Sequence, residues 1–174
     1  MKRYVAQETA VETVVLEMNQ TIVVPSITAN LSPLGFHHFG SDFVTAASAF
    51  PSTDRYSPLP YYLYCHAIEL FLKAFLLTKG ISRNELSKKA IFSHDLIKGL
   101  ILARQNGLPT VIMLSAADEA ELGKANIYYN EKGFEYFDVT EAMRGFSNRP
   151  DLSTLRTIAE KLQIKLKAVC EAAT

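Results

Sequence analysis

Net charge is the first thing this chain lacks. Its 18 Lys and Arg balance 18 Asp and Glu, so no global field draws it toward nucleic acid or an anionic membrane. Any such partner has to be held by a local patch. Cysteine is scarce too: Cys65 and Cys170 are the only two, far apart and without a CxxC spacing. That excludes a disulfide framework and a zinc ribbon and leaves two thiols expected to be buried in apolar helices. Residues 1–20 have no unbroken apolar stretch of the kind a secretory leader needs, because Gln7, Glu8, Glu12 and Glu17 interrupt them. A cytoplasmic protein is expected. Repeats, low-complexity tracts and interdomain linkers are also missing, and 174 residues suit one core that buries about 70% of the surface its unfolded chain exposes. We therefore expect a single domain over residues 1–174, with residues 1–31 as an N-terminal arm.

What the chain does have is a long apolar stretch at residues 61–80, YYLYCHAIELFLKAFLLTKG. From 61 to 77 only His66, Glu69 and Lys73 are strongly polar, and at 3.6 residues per turn they fall within roughly 60° of one another. A surface helix shows a wide polar face, so this one is expected to be the enclosed central helix of a helical domain. Pro58 and Pro60 precede it, and Lys79 and Gly80 supply a cation and a left-handed cap at its end. The run is nearly long enough to span a bilayer, but Lys73 alone costs about 2.5–3.5 kcal/mol near the membrane centre and Glu69 is also disfavoured there, so no membrane partner is expected. Two readings of the stripe stay open. Glu69 and Lys73 form an i, i+4 pair worth about 0.2–0.5 kcal/mol on an exposed helix, and His66 can hydrogen-bond inside the core. Alternatively, the stripe faces a crevice or a partner.

The remaining chain punctuates itself into helices. Residues 4–19 carry Val11, Val14, Val15 and Met18 at helical spacing, and Thr21 to Val24 favour extended chain before Pro25. Ser32 and Pro33 start a helix whose Phe36, Phe39, Phe43, Ala46 or Ala47, and Phe50 form an aromatic stripe. His37, His38, Ser41, Asp42 and Thr45 fall on its other face. His38 and Asp42, four apart, can share a metal ion or phosphate or form a surface ion pair; without a third ligand no metal site is assigned. Residues 51–60 form the loop into the central helix, and Arg55 and Tyr56 there are expected near the functional site. Ser82 and Glu85 make a capping box for a short helix over 82–90. Ser93 or Asp95 caps the next, with Leu96, Ile97, Leu100, Ile101 and Leu102 as its apolar side and Asn106-Gly107 as its stop. Ser115 and Asp118 open a helix to Tyr128, and residues 133–150 read as an aromatic and basic loop with a short strand or turn near 134–139. Asp151 or Ser153 caps the last helix, which places Leu155, Ile158, Ala159, Leu162, Leu166 and Val169 on one face.

The pairing of HAIELFLKAFLLTKG (residues 66–80) with SHDLIKGL (residues 93–100) resembles the HEPN family of higher-eukaryote and prokaryote nucleotide-binding helical domains. The resemblance covers residues 61–101, and residues 128–149 are loosely similar to that family's aromatic and basic segment before the final helix. It implies an all-α bundle of four to five main helices, often a homodimer. It also implies toxin–antitoxin or phage-defence settings and partnership with a nucleotidyltransferase-like protein. Many HEPN proteins carry an RNase motif in which His follows Arg by four to six residues. None of His37, His38, His66 or His94 follows an arginine at that spacing. The resemblance therefore implies a non-catalytic module binding a nucleotide, RNA or partner protein, with His66, Glu69, Lys73, His94, Asp95, Arg144 and Arg149 as its contacts and no cofactor. For His94 and Asp95 the alternative is helix capping with a local hydrogen bond. The competing expectation is an RNase that joins His66 or His94 with Arg144, since acid–base cleavage needs a group titrating near neutral pH and a cation at the phosphate.

Overall fold

A helix that is apolar on nearly every side has to be surrounded, and the arrangement of this chain follows from that requirement. The computed structural model describes residues 32–51, 56–135 and 148–173, and helix takes up 70% of them with no strand among them. Among the described residues six α-helices follow in order: α1 Pro33–Ser48, α2 Leu59–Thr78, α3 Arg83–Leu86, α4 Leu96–Gln105, α5 Ala116–Asn130 and α6 Leu152–Glu171. A 3-10 turn, Leu108–Thr110, separates α4 from α5. Helix α2 is the hub. It touches each of the other five, and 12 of its 20 residues are buried, among them Ile68, Phe71, Leu72, Phe75 and Leu76. No helix of the described residues is long and apolar enough to cross a membrane.

The helix ends are set locally. Ser32 accepts from the Gly35 N–H at 3.1 Å, Ser115 and Asp118 form a reciprocal capping box, and Asp151 accepts from the Thr154 N–H at 2.7 Å. Gly80 and Gly107 take φ of +80° and +89° just past α2 and α4, the left-handed conformation that a glycine enters without penalty. Asp95 rather than Ser93 caps α4. Helix α3 stops at Leu86 instead of continuing to residue 90. Ser93 returns its N–H to the Leu86 carbonyl at 2.9 Å, and this turn drives Phe92 fully into the core. The short strand expected near 134–139 is turn at Phe134 and Glu135, and the rest of it lies outside the described residues, as do the expected elements over residues 1–31.

Two faces differ from the expectation. On α1 the buried residues are Gly35, His37, Gly40, Val44 and Ala47, whereas Phe39 is 56% exposed. The reason is close packing: a Cβ at Gly40 would lie 2.7 Å from the Phe71 ring, so only glycine lets α1 approach α2 there. His37, one turn away, goes inward with it and tilts against Phe71 at 5.2 Å. Its Nε2–H donates to the Gln163 carbonyl of α6 at 2.8 Å, while its buried Nδ1 has no partner among the described residues. Burial lowers the pKa of His37 and holds the ring neutral. On α4 the buried residues are Leu96, Gly99, Leu100 and Ala103, and Ile101 is exposed. Both cysteines are buried, as expected.

Phe71 and Leu70 separate the inside of α2 from its edge, since Phe71 is fully buried and Leu70 only half-buried. Phe71→Ala should cost about 3–5 kcal/mol in urea unfolding, and Leu70→Ala distinctly less. Equal losses would misplace the core.

Candidate functional site

Four side chains of α2 descend one stripe at alternating four- and three-residue steps: Tyr62, His66, Glu69 and Lys73. At its centre Glu69 is 1% exposed, a position a carboxylate can hold only with several partners, because an unpaired buried charge costs several kcal/mol. The partners come from three places. Lys73, one turn on, donates to Oε1. Tyr129 of α5 donates its hydroxyl to Oε2, and His94, in the turn before α4, brings Nδ1 to 3.1 Å from the same oxygen. His66 Nδ1 lies 3.6 Å from Oε2 and 2.7 Å from the Tyr129 hydroxyl. Burial alone would raise the pKa of Glu69. The interactions of His66, Lys73 and Tyr129 outweigh burial and bring it down to about 2, so the group is an anion. Burial and then the Glu69 charge push the Tyr129 phenol far up, which keeps it a donor.

Counting protons settles the state of both histidines. A phenol has one proton, and Tyr129 gives it to Glu69, so its oxygen is the acceptor and His66 Nδ1–H the donor. An ionised carboxylate only accepts, so His94 Nδ1 also carries hydrogen. In the neutral state each ring then has its free lone pair on Nε2, on the side opposite the carboxylate. Aromatic rings hold the set in place. Tyr62 stacks on His66 at 5.8 Å and 8°, Phe43 meets His66 edge-on at 4.5 Å, and Lys73 sits 5.1 Å from the centre of the Phe92 ring. Side-chain exposure rises outward from 2% at Glu69 through 14% at Lys73 and 23% at His66 to 59% at His94. The cluster is a buried anion whose accessible end is two imidazoles.

The fold thus brings together His66, Glu69, Lys73 and His94. Asp95 is occupied otherwise: Oδ1 accepts from the N–H groups of Ile97 and Lys98 and from Asn126 Nδ2 at 3.1 Å, while Asn126 Oδ1 accepts from the Leu96 N–H at 2.7 Å. It is a cap and a tie from α4 to α5. Arg149 stands elsewhere, over Tyr56 and Tyr61, and Arg144 lies outside the described residues, as does Arg55. His38 and Asp42 are exposed on α1, and among the described residues no three His, Cys, Asp or Glu gather as metal ligands. Tyr129 is the member that sequence reasoning missed. The signal was present, because Leu122, Ala125 and Tyr129 recur at helical spacing and are the inward face of α5. No family model, curated protein or solved structure matches the chain.

The depressed pKa of Glu69 is a stability statement. Between the ordinary value of 4.5 and about 2 the unfolded chain binds a proton that the folded chain does not, so stability falls as pH drops through that window. Asp118, Glu121 and Asp151 are also lowered, so the informative quantity is a difference between proteins. Urea midpoints of the parent should fall more steeply below pH 4.5 than those of Glu69→Gln, and parallel curves would show that the carboxylate is not held as described.

Proposed function

We propose that this chain is a HEPN-like helical module that binds a nucleotide or RNA through the surface at His66 and His94, without cleaving it. The observation that supports this reading is that both rings are fixed with Nδ1–H toward the Glu69 cluster, which turns each Nε2 outward. When the ring is protonated, its Nε2–H is a donor for phosphate oxygen, and Tyr62, half-buried beside His66, offers a flat face for a base. Glu69 and Lys73 act from beneath as positioning residues. The toxin–antitoxin or phage-defence setting, the homodimer and the nucleotidyltransferase-like partner belong to the same proposal and rest on the HEPN resemblance, and the cytoplasmic location rests on the polar residues that interrupt residues 1–20.

One observation favours the RNase reading: two imidazoles whose Nε2 lies on the side away from the carboxylate are the groups an acid–base pair needs, one as base and the other, when protonated, as acid. Against it, cleavage also needs a cation at the phosphate, and Lys73 is already committed to Glu69 while Arg104 and Arg156 are paired with Glu119 and Glu160. Fluorescence anisotropy with a short single-stranded RNA decides between them. Saturable binding that weakens as salt rises and falls about tenfold or more in His94→Ala, with the RNA left intact, is the expected result. RNA cut by the parent and spared by His94→Ala would replace binding with catalysis. An absence of saturable binding would overturn the proposal.

A further inference from the structure

The C-terminal end of α1, residues on either side of the first turns of α2 and α6 and those turns themselves line a second feature, an open cavity of about 590 Å³. None of its lining residues belongs to the Glu69 cluster. The volume falls within the roughly 300–1,000 Å³ usual for small-molecule sites. Its wall joins flat phenols to cations: Tyr56, Tyr61 and Tyr64 with Arg149 and Arg156. The phenols are held in place. Tyr61 and Tyr64 are buried, and the Tyr64 hydroxyl lies 3.1 Å from Ser48 Oγ. Burial pushes the Tyr56 phenol up to about 12, so it stays uncharged.

The two guanidiniums differ in their commitments. Arg156 gives Nε–H to Glu160 at 2.7 Å, so its charge is offset within α6. Arg149 is centred 5.1 Å from the Tyr56 ring and 5.9 Å from the Tyr61 ring, and no carboxylate pairs with it among the described residues. A guanidinium that rests on aromatic faces keeps its hydrogen-bonding edge available for two oxygens of an anion, and the rings beside it favour a flat apolar group over water. We propose that this cavity binds a small flat aromatic molecule carrying one phosphate or carboxylate, its ring lodged among the tyrosines and its anion on Arg149. The site is separate from the imidazole surface and stands whether or not that surface binds RNA.

Isothermal titration calorimetry with naphthyl phosphate and with naphthoate tests the proposal and distinguishes the two anions, with naphthol and inorganic phosphate as half-ligands. At least one aromatic anion should saturate, and both half-ligands should bind about tenfold or more weakly. Arg149 is exposed, so Arg149→Gln leaves the core intact and should weaken the aromatic anion about tenfold or more. His94→Ala, on the other surface, should leave that affinity unchanged. The inference is overturned if neither aromatic anion saturates, if Arg149→Gln binds as tightly as the parent, if a half-ligand matches the whole, or if His94→Ala abolishes binding.

Discussion

One buried negative charge governs the arrangement of this molecule. Glu69 sits in the middle of α2 with almost no contact with water, and its ionised form persists only because Lys73, Tyr129, His94 and His66 converge on it. Two of those partners belong to α2 itself. The other two do not, so α5 and the turn before α4 have to arrive at fixed positions against the central helix. Replacing such a cluster with apolar residues is often neutral or stabilising, so its contribution lies more in dictating one arrangement of helices than in net stability. Asp95 illustrates the coupling. It caps α4 and holds Asn126 of α5, while its neighbour His94 reaches Glu69, so one turn of chain registers three helices together.

The apolar packing supports the polar cluster from below. A Cβ on Gly99 would come within 2.3 Å of the Phe92 ring, so glycine there makes room for Phe92. Phe92 in turn lies under Lys73, and Lys73 neutralises Glu69. On the opposite side of α2, Gly40 makes the same kind of space for Phe71 and brings α1 close enough for His37 to bond across to α6. A glycine on an outer helix that makes room for a phenylalanine ring is therefore one device used twice.

Much of this was legible in the sequence, for identifiable reasons. Caps and stops depend on residues three or four apart, so Ser32, Ser82 with Glu85, Asp95, Gly107, Ser115 with Asp118, and Asp151 could be read locally. The polar stripe of α2 gave three members of the cluster because helical geometry alone aligns them. His94 was found through its motif rather than its contacts, and its tie to Glu69 spans 25 residues. Tyr129, 60 residues from Glu69, could not be joined to it by periodicity, which shows an inward face but not what that face meets. The buried side of α1 was read in part: Ala47 is buried and Phe36 and Phe43 pack against the core, but Phe39 is exposed, because Gly40 contributes nothing to a count of apolar residues, yet decides where Phe71 fits. Arg149 was grouped with the histidines as a loop arginine suited to phosphate, and the fold places it over Tyr56 and Tyr61 instead.

The central claim is that a buried anion fixes the protons of the histidines around it. Long-range proton–nitrogen NMR of the imidazoles in their neutral form reads those protons directly. His66 and His94 should appear with hydrogen on Nδ1 and a bare Nε2, and His37, which donates to a carbonyl through Nε2, should show the opposite tautomer. His66 and His94 in the Nε2–H form would contradict the account, because neither could then donate through Nδ1 to the cluster around Glu69.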